Sequence, residues 1–155
     1  MDIHSGGAYP ASKLTNFAPN AFTFRGITVA GMEGLLQAFK FDKLHMQIHV
    51  CTLFGMAAKK RGAKRNWRRD QTLYWQGQEL DRHGAEYQQL LDEAYMAMFT
   101  QNEGARRALL ATGNATLTHS IGKKKESETV LTEREFCSRL MRCRSHFQAL
   151  EKKRK

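Results

Sequence analysis

The amino-acid sequence predicts a compact single α+β domain, mainly helical, with a small N-terminal β-hairpin. Two patterns and one bound carry that prediction. Apolar residues recur at helical spacing in Met32–Phe41, in Ala85–Asn102 and again beyond Thr132. Phe22-Thr23-Phe24 and Ile27-Thr28-Val29 alternate instead with period two, on either side of Arg25-Gly26. The bound is size: 155 residues with 41% hydrophobic content make one domain, long enough to bury a core without staples.

Residues 1–13 contain Gly6-Gly7 and Pro10 with little periodicity, and read as an irregular arm ahead of a domain spanning 14–155. The hairpin follows, turning at Arg25-Gly26, and its second strand feeds a helix over Met32–Phe41. Met32, Leu35, Leu36 and Phe39 form the apolar stripe of that helix, at about 100° per residue. A second helix is expected over Leu44–Lys60, with Gly62 as its stop. Residues 63–84 are polar, aromatic and turn-rich, which reads as a long connection. Helix returns at Ala85–Asn102, where Tyr87, Leu91, Ala94 and Met98 share a stripe. A shorter helix at Gly104–Thr112 stops at Gly113. A polar loop over 114–131 carries Lys123-Lys124-Lys125. The last helix opens on Thr132-x-x-Glu135, a capping-box pattern, and its stripe is Phe136, Leu140, Cys143, Phe147 and Leu150. There are no internal repeats.

The net charge is +10 with a pI near 9.8, which points to a polyanionic partner. Much of the excess lies in Lys59 to Arg69 and in the tail Lys152-Lys153-Arg154-Lys155. The tail suits the negative end of a helix and reads as a solvated helix end. No apolar run approaches the length of a membrane span and no signal-peptide pattern opens the chain, so a cytoplasmic location is expected. Cys51, Cys137 and Cys143 are odd in number and lack metal-ligand spacing, so buried or free thiols are expected. His45 and His49 stand at i and i+4, but no third ligand accompanies them. No metal and no cofactor are expected.

The chemistry concentrates on the second face of the Met32–Phe41 helix. Glu33, Gln37 and Lys40 fall within about 60° of one another there. Periodicity alone favours a solvated polar face, and a catalytic edge is the alternative. Phe17 and Trp67 offer flat surfaces for a base, although aromatic residues more often sit in a core. Trp67 lies inside the basic run, where Lys64, Arg65 or Arg68 can hold a pyrophosphate. Asn16 reads equally as a turn residue ahead of Pro19 and as a hydrogen-bonding partner of a ribose or phosphate.

Several stretches, taken in order, decide between these readings. They are Thr15-Asn16-Phe17, Pro19, Phe22 through Gly26, Met32-Glu33-Gly34 and Gln37-Ala38-Phe39-Lys40-Phe41. Ala57 through Gly62, Lys64-Arg65-Asn66-Trp67, Phe99 through Asn102 and Leu109 through Gly113 continue the string. Together they resemble the NADAR family, over most of the chain from about Leu14 to Arg144. That family includes bacterial N-glycosidases of riboflavin-pathway intermediates and hydrolases that remove ADP-ribose from guanine. The resemblance implies a NADAR-type fold and an N-glycosidase, with Glu33 as the essential carboxylate. Lys40 matches the lysine of the family's QAxKF motif, and a covalent route through its amine is implied. Gln37 is expected to orient Glu33 or a water. The implied substrates are ADP-ribosylated guanine in nucleic acid or, alternatively, small phosphorylated N-glycosides of riboflavin biosynthesis. A non-catalytic module that binds ADP-ribose, NAD derivatives or nucleic acid is a further class.

One stretch departs from the family pattern. Many members carry an Asp-x-x-Trp-Gly-type segment shortly before the final helix. Here the region reads His119-Ser120-Ile121-Gly122-Lys123-Lys124-Lys125-Glu126, and no tryptophan follows Trp75. The C-terminal wall of the site is therefore expected to be rebuilt, with His119, Ser120 and Lys123 facing the ligand. His119 is an acid or base by type, although a lone histidine more often has a structural role.

Overall fold

The computed structural model describes residues 1–154. Its elements are α1 (Ala11–Leu14), β1 (Phe22–Phe24), β2 (Ile27–Val29), α2 (Met32–Ala38), α3 (Leu44–Cys51) and α4 (Gly55–Gly62). They are followed by β3 (Thr72–Trp75), β4 (Gln78–Asp81), α5 (Ala85–Gln101), α6 (Glu103–Ala111) and α7 (Glu133–Arg154). The fold is mostly helical with two small antiparallel sheets, an α+β domain.

The N-terminal hairpin forms in the expected register, Phe22 opposite Val29 and Phe24 opposite Ile27. Arg25 and Gly26 both take positive φ, 46° and 84°, which a two-residue type I′ turn requires. Phe22, Phe24, Ile27 and Val29 all face inward, while Thr23 and Thr28 face solvent.

A second hairpin, β3–β4, stands where the sequence reads as a long connection. Its turn, Gln76-Gly77, has the same form, at 47° and 86°. Leu73, Trp75 and Leu80 are its buried residues. The β content is therefore twice the N-terminal element. This hairpin docks on the end of α2, because Tyr74 donates its backbone N–H to the Phe39 carbonyl at 2.8 Å. Phe39 meets Trp75 and Tyr87 edge-on, with centroids 5.5 and 5.7 Å away.

The helix expected over Leu44–Lys60 is two helices. α3 ends at Cys51 and α4 begins at Gly55, whose φ of +57° breaks the helical path. The break brings α4 back against α2, so the basic turn at the end of α4 lies beside Gln37. α2 itself is shorter than expected: Ala38 is its last residue and Phe39 its C-cap.

The long helices form the other half of the core. Tyr87, Leu91, Ala94 and Met98 of α5 are buried, as are Phe136, Leu140, Cys143 and Phe147 of α7, while Leu150 is exposed. The capping box is present in full. Thr132 Oγ1 accepts from the Glu135 backbone N–H at 3.1 Å, and Glu135 Oε1 accepts from the Thr132 N–H at 2.8 Å. The same carboxylate receives Arg82 through two bonds, at 2.6 and 3.1 Å, and Arg82 is fully buried. Burial pushes the Glu135 carboxyl up, but Arg82, the Thr132 N–H and Gln88 outweigh it and hold it below the ordinary range. All three cysteines are free and buried, and burial raises each thiol pKa.

The chain's start lies along the segment before α7. Asp2 pairs with Thr118 in a parallel bridge, and Ile3, fully buried, donates its N–H to the Thr118 carbonyl at 2.8 Å. Among the described residues, no helix is long and apolar enough to cross a membrane.

Candidate functional site

A cleft of about 610 Å³ opens between α2, the residues after α4, the Thr15–Phe17 segment and the strip 119–131. Its floor is the polar face of α2. Glu33 sits in the first turn of that helix, and its backbone N–H is bonded to the Asn16 carbonyl at 3.0 Å. One turn on, Gln37 donates from Nε2 to Glu33 Oε1 at 2.8 Å, which fixes the carboxylate's rotamer. Gln37 in turn is wedged against Gly62 of α4: a Cβ there would stand 1.9 Å from Gln37 Oε1. Only glycine leaves room for this approach.

The electrostatics of Glu33 and Lys40 run in opposite directions from one cause. Burial raises the Glu33 pKa, and the Gln37 hydrogen bond together with the positive charges of Lys40, Lys59 and His119 opposes that rise. Burial also lowers the Lys40 pKa, to about 8; Glu33 opposes that fall, whereas Arg68, Lys123 and Lys59 deepen it. Phe39 and Phe41, on either side of Lys40, are both buried. Arg61 and Arg65 stack over the Phe41 ring at 5.2 and 4.9 Å.

The other candidate residues divide. Asn16, Phe17, Lys64, Arg65, Trp67 and His119 all line the cleft with Glu33, Gln37 and Lys40. Asn16 is held from behind, its Oδ1 accepting from the buried Tyr95 hydroxyl at 2.6 Å. Its amide N–H groups remain as donors. Trp67 is 6% exposed, so it belongs to the core and to the cleft wall at once. Ser120 does not line the cleft. Its N–H and hydroxyl both donate to Asp2, at 2.8 and 2.7 Å, so it anchors the chain's start instead of facing a ligand.

Sequence reasoning missed several lining residues as individuals, among them Glu128. Lys59 lies 5.9 Å above the Phe17 ring, and its membership of the basic run was the available signal. His4 and Ser5 reach the cleft because residues 1–3 pair with 116–118, and no local pattern announces that pairing. Lys123 lines the wall with His119, as the departure at 119–126 suggests.

The cleft thus combines six lysine and arginine side chains with two carboxylates, Glu33 and Glu128. Among the described residues, no three His, Cys, Asp or Glu side chains gather to hold a metal ion. The cleft sets a carboxylate near an amine of lowered pKa, within a lining whose charged groups are mostly cationic. The fold around it resembles that of a solved protein, the Escherichia coli protein YbiA. Its NMR structure covers 98% of this chain and matches 86% of its own, at a TM-score of 0.66 and 21% identity. That likeness is one of fold alone, and it agrees with the α+β architecture described above.

The sequence places the chain more narrowly. Residues 8–145 match the family described as bacteriophage protein GP30.3, and the chain belongs to that family. It is 36% identical over 140 residues to an uncharacterized 17.1 kDa protein of the Gp30–rIII intergenic region of enterobacteria phage T4. The match covers 88% of this chain and 91% of that relative.

Proposed function

We propose that this protein is an N-glycosidase that releases ADP-ribose from guanine in nucleic acid. The observation that carries the reading is the floor of the cleft, where Glu33, locked by Gln37, shares a partly desolvated environment with Lys40. Breaking an N-glycosidic bond develops positive charge at the anomeric carbon, and the Glu33 carboxylate stabilises that charge. Lys40 supplies a nucleophile. With its pKa lowered to about 8, a useful fraction of the amine is free near neutral pH and can attack C1 of the opened sugar, where the base is still held as an imine. The bond from C1 to the base nitrogen then breaks, the protonated base departs, and C1 is left as a Schiff base on Lys40. Water then hydrolyses the resulting Schiff base and frees the lysine.

The cations of the wall suit a pyrophosphate and an adjoining nucleic-acid backbone. Trp67 and Phe17 offer faces for the adenine or for the modified base. A base inside a duplex does not reach such a cleft, so the substrate is single-stranded or flipped out. A cleft of this volume also holds a small phosphorylated N-glycoside, which supports the riboflavin-pathway intermediates as a second reading.

The test is incubation of the purified protein with guanine-ADP-ribosylated single-stranded DNA, with a riboflavin-pathway N-glycoside in parallel. Release of ADP-ribose from DNA, lost in Glu33→Gln, is the expected result. Cleavage of the small N-glycoside alone moves the enzyme to the metabolite reading. Neither substrate cleaved by a folded protein refutes the glycosidase and leaves a binding module.

A further inference from the structure

In the proposed reaction Glu33 acts as a carboxylate and Lys40 as a free amine, so neither carries a proton for the departing base. A guanine nitrogen is a poor leaving group without one. We propose that His119 delivers that proton from Nε2, with its ring held for the task by the first residues of the chain. The proposal rests on the N-glycosidase reading and adds to it a catalytic group from the stretch that departs from the family pattern.

The geometry of the ring is the argument. His119 Nδ1 lies 2.6 Å from the Ile3 carbonyl oxygen. A carbonyl only accepts, so Nδ1 carries its hydrogen in both the neutral and the protonated ring. Protons therefore enter and leave at Nε2 alone. Among the described residues Nε2 has no hydrogen-bond partner, and His119 lines the cleft.

Each neighbour fixes the ring further. It stands edge-on to Phe136, centroids 5.2 Å apart at 77°. The His119 backbone N–H donates to Glu133 Oε1 at 3.2 Å. Ile3 cannot drift, because its side chain is fully buried and its N–H is bonded to Thr118. Asp2 adds bonds to Ser120 and to the Thr118 hydroxyl at 3.0 Å. His119 and Glu33 line the same cleft, and His119 acts electrostatically on that carboxyl.

The step balances simply. As the bond between the anomeric carbon and the base nitrogen breaks, its electron pair stays on the nitrogen and the Nε2 proton moves there. The oxygen of water bonds to the anomeric carbon, directly or by way of the Lys40 adduct, and the proton that water gives up restores the ring.

His119→Asn tests this cleanly, because an asparagine amide can still donate to the Ile3 carbonyl while Nε2 is removed. The variant is expected to keep the wild-type melting temperature and lose about 100-fold or more in kcat. In His119→Ala, added imidazole is expected to restore part of the rate, and rates are expected to fall more steeply as the leaving base becomes more basic. A His119→Asn protein with wild-type kcat, beside an inactive Glu33→Gln, overturns the role of His119 and leaves the glycosidase reading standing. Nitrogen-15 NMR of the imidazole tests the holding contact independently of turnover: the Nδ1–H tautomer is expected, and a neutral Nε2–H ring overturns the proposal.

Discussion

Gly62→Ala is a one-methyl change that reaches Glu33 through a single intermediary. The new Cβ would stand 1.9 Å from Gln37 Oε1, 2.8 Å from its Cδ and 3.1 Å from its Cβ. An unstrained carbon–oxygen contact needs upwards of about 3 Å, so one partner must move by about 1 Å. Gln37 is 6% exposed on a helix packed against α4, and the room open to it lies on the cleft side, away from Gly62. Its amide therefore leaves the Glu33 Oε1 atom, and the 2.8 Å bond that fixes the carboxylate is lost. Overpacking of this kind costs about 1–3 kcal/mol of stability. A catalytic group displaced by about 1 Å costs on the order of 100-fold in rate. Urea denaturation and single-turnover kinetics read the two effects separately. The double variant Gly62→Ala/Gln37→Ala makes the argument sharper: with the side chain gone, stability returns and activity does not. A Gly62→Ala protein whose denaturation midpoint and kcat both match wild type would refute the chain of contacts from Gly62 to Glu33.

Other consequences follow from the same coordinates. Activity that uses the Lys40 amine rises as pH climbs through about 8, because the amine is protonated and inert below that value; a flat profile between pH 6 and 9 removes it as the nucleophile, and borohydride trapping on Lys40 during turnover checks the same step. A nucleic-acid substrate makes kcat/KM fall steeply with added salt, whereas a small phosphorylated N-glycoside loses little, so a titration of sodium chloride separates the two. Arg82→Leu leaves the Glu135 carboxylate buried without its partner and is expected to cost about 3–5 kcal/mol in urea denaturation; a loss below about 1 kcal/mol contradicts that account.

What could be read from the sequence was what depends on neighbours along the chain. The Thr132–Glu135 capping box, the Arg25-Gly26 turn and the Glu33–Gln37 pair are all set within one or two turns of backbone and stand as read. Lys40, by contrast, lies two residues past the end of α2 and reaches the same cleft from beyond the helix. The second hairpin escaped because its inward residues, Leu73, Trp75 and Leu80, are diluted among arginines, glutamines and acidic residues. Its Gln76-Gly77 turn was nevertheless the same kind of signal as Arg25-Gly26. The α3–α4 break was hidden by the apolar residues flanking Gly55, whose left-handed backbone lies beside the Phe17 carbonyl, a neighbour distant in sequence. His4 and Ser5 were beyond sequence reasoning altogether: they enter the cleft through the pairing of Asp2 with Thr118, which no periodicity encodes.

The basic wall does more than attract phosphate. Burial drives Glu33 and Lys40 alike towards their neutral forms, and each one's charge resists the other's neutralisation. Left to themselves, the two would settle into either an ion pair or a neutral pair, and neither gives a carboxylate beside a free amine. The surrounding cations break that symmetry. Lys59 favours the charged carboxylate and, with Arg68 and Lys123, disfavours the charged amine, which is the combination the proposed chemistry requires. Removing one of them therefore changes the reaction even where substrate saturates the enzyme. In Arg68→Ala the Lys40 pKa rises, so the pH at which kcat reaches half its plateau moves upwards. Arg68 is exposed, and salt screens its action on Lys40, so the displacement is largest at low ionic strength. An Arg68→Ala profile superimposable on wild type at low salt, with only KM raised, would confine the cation to binding and leave burial alone to set the state of Lys40.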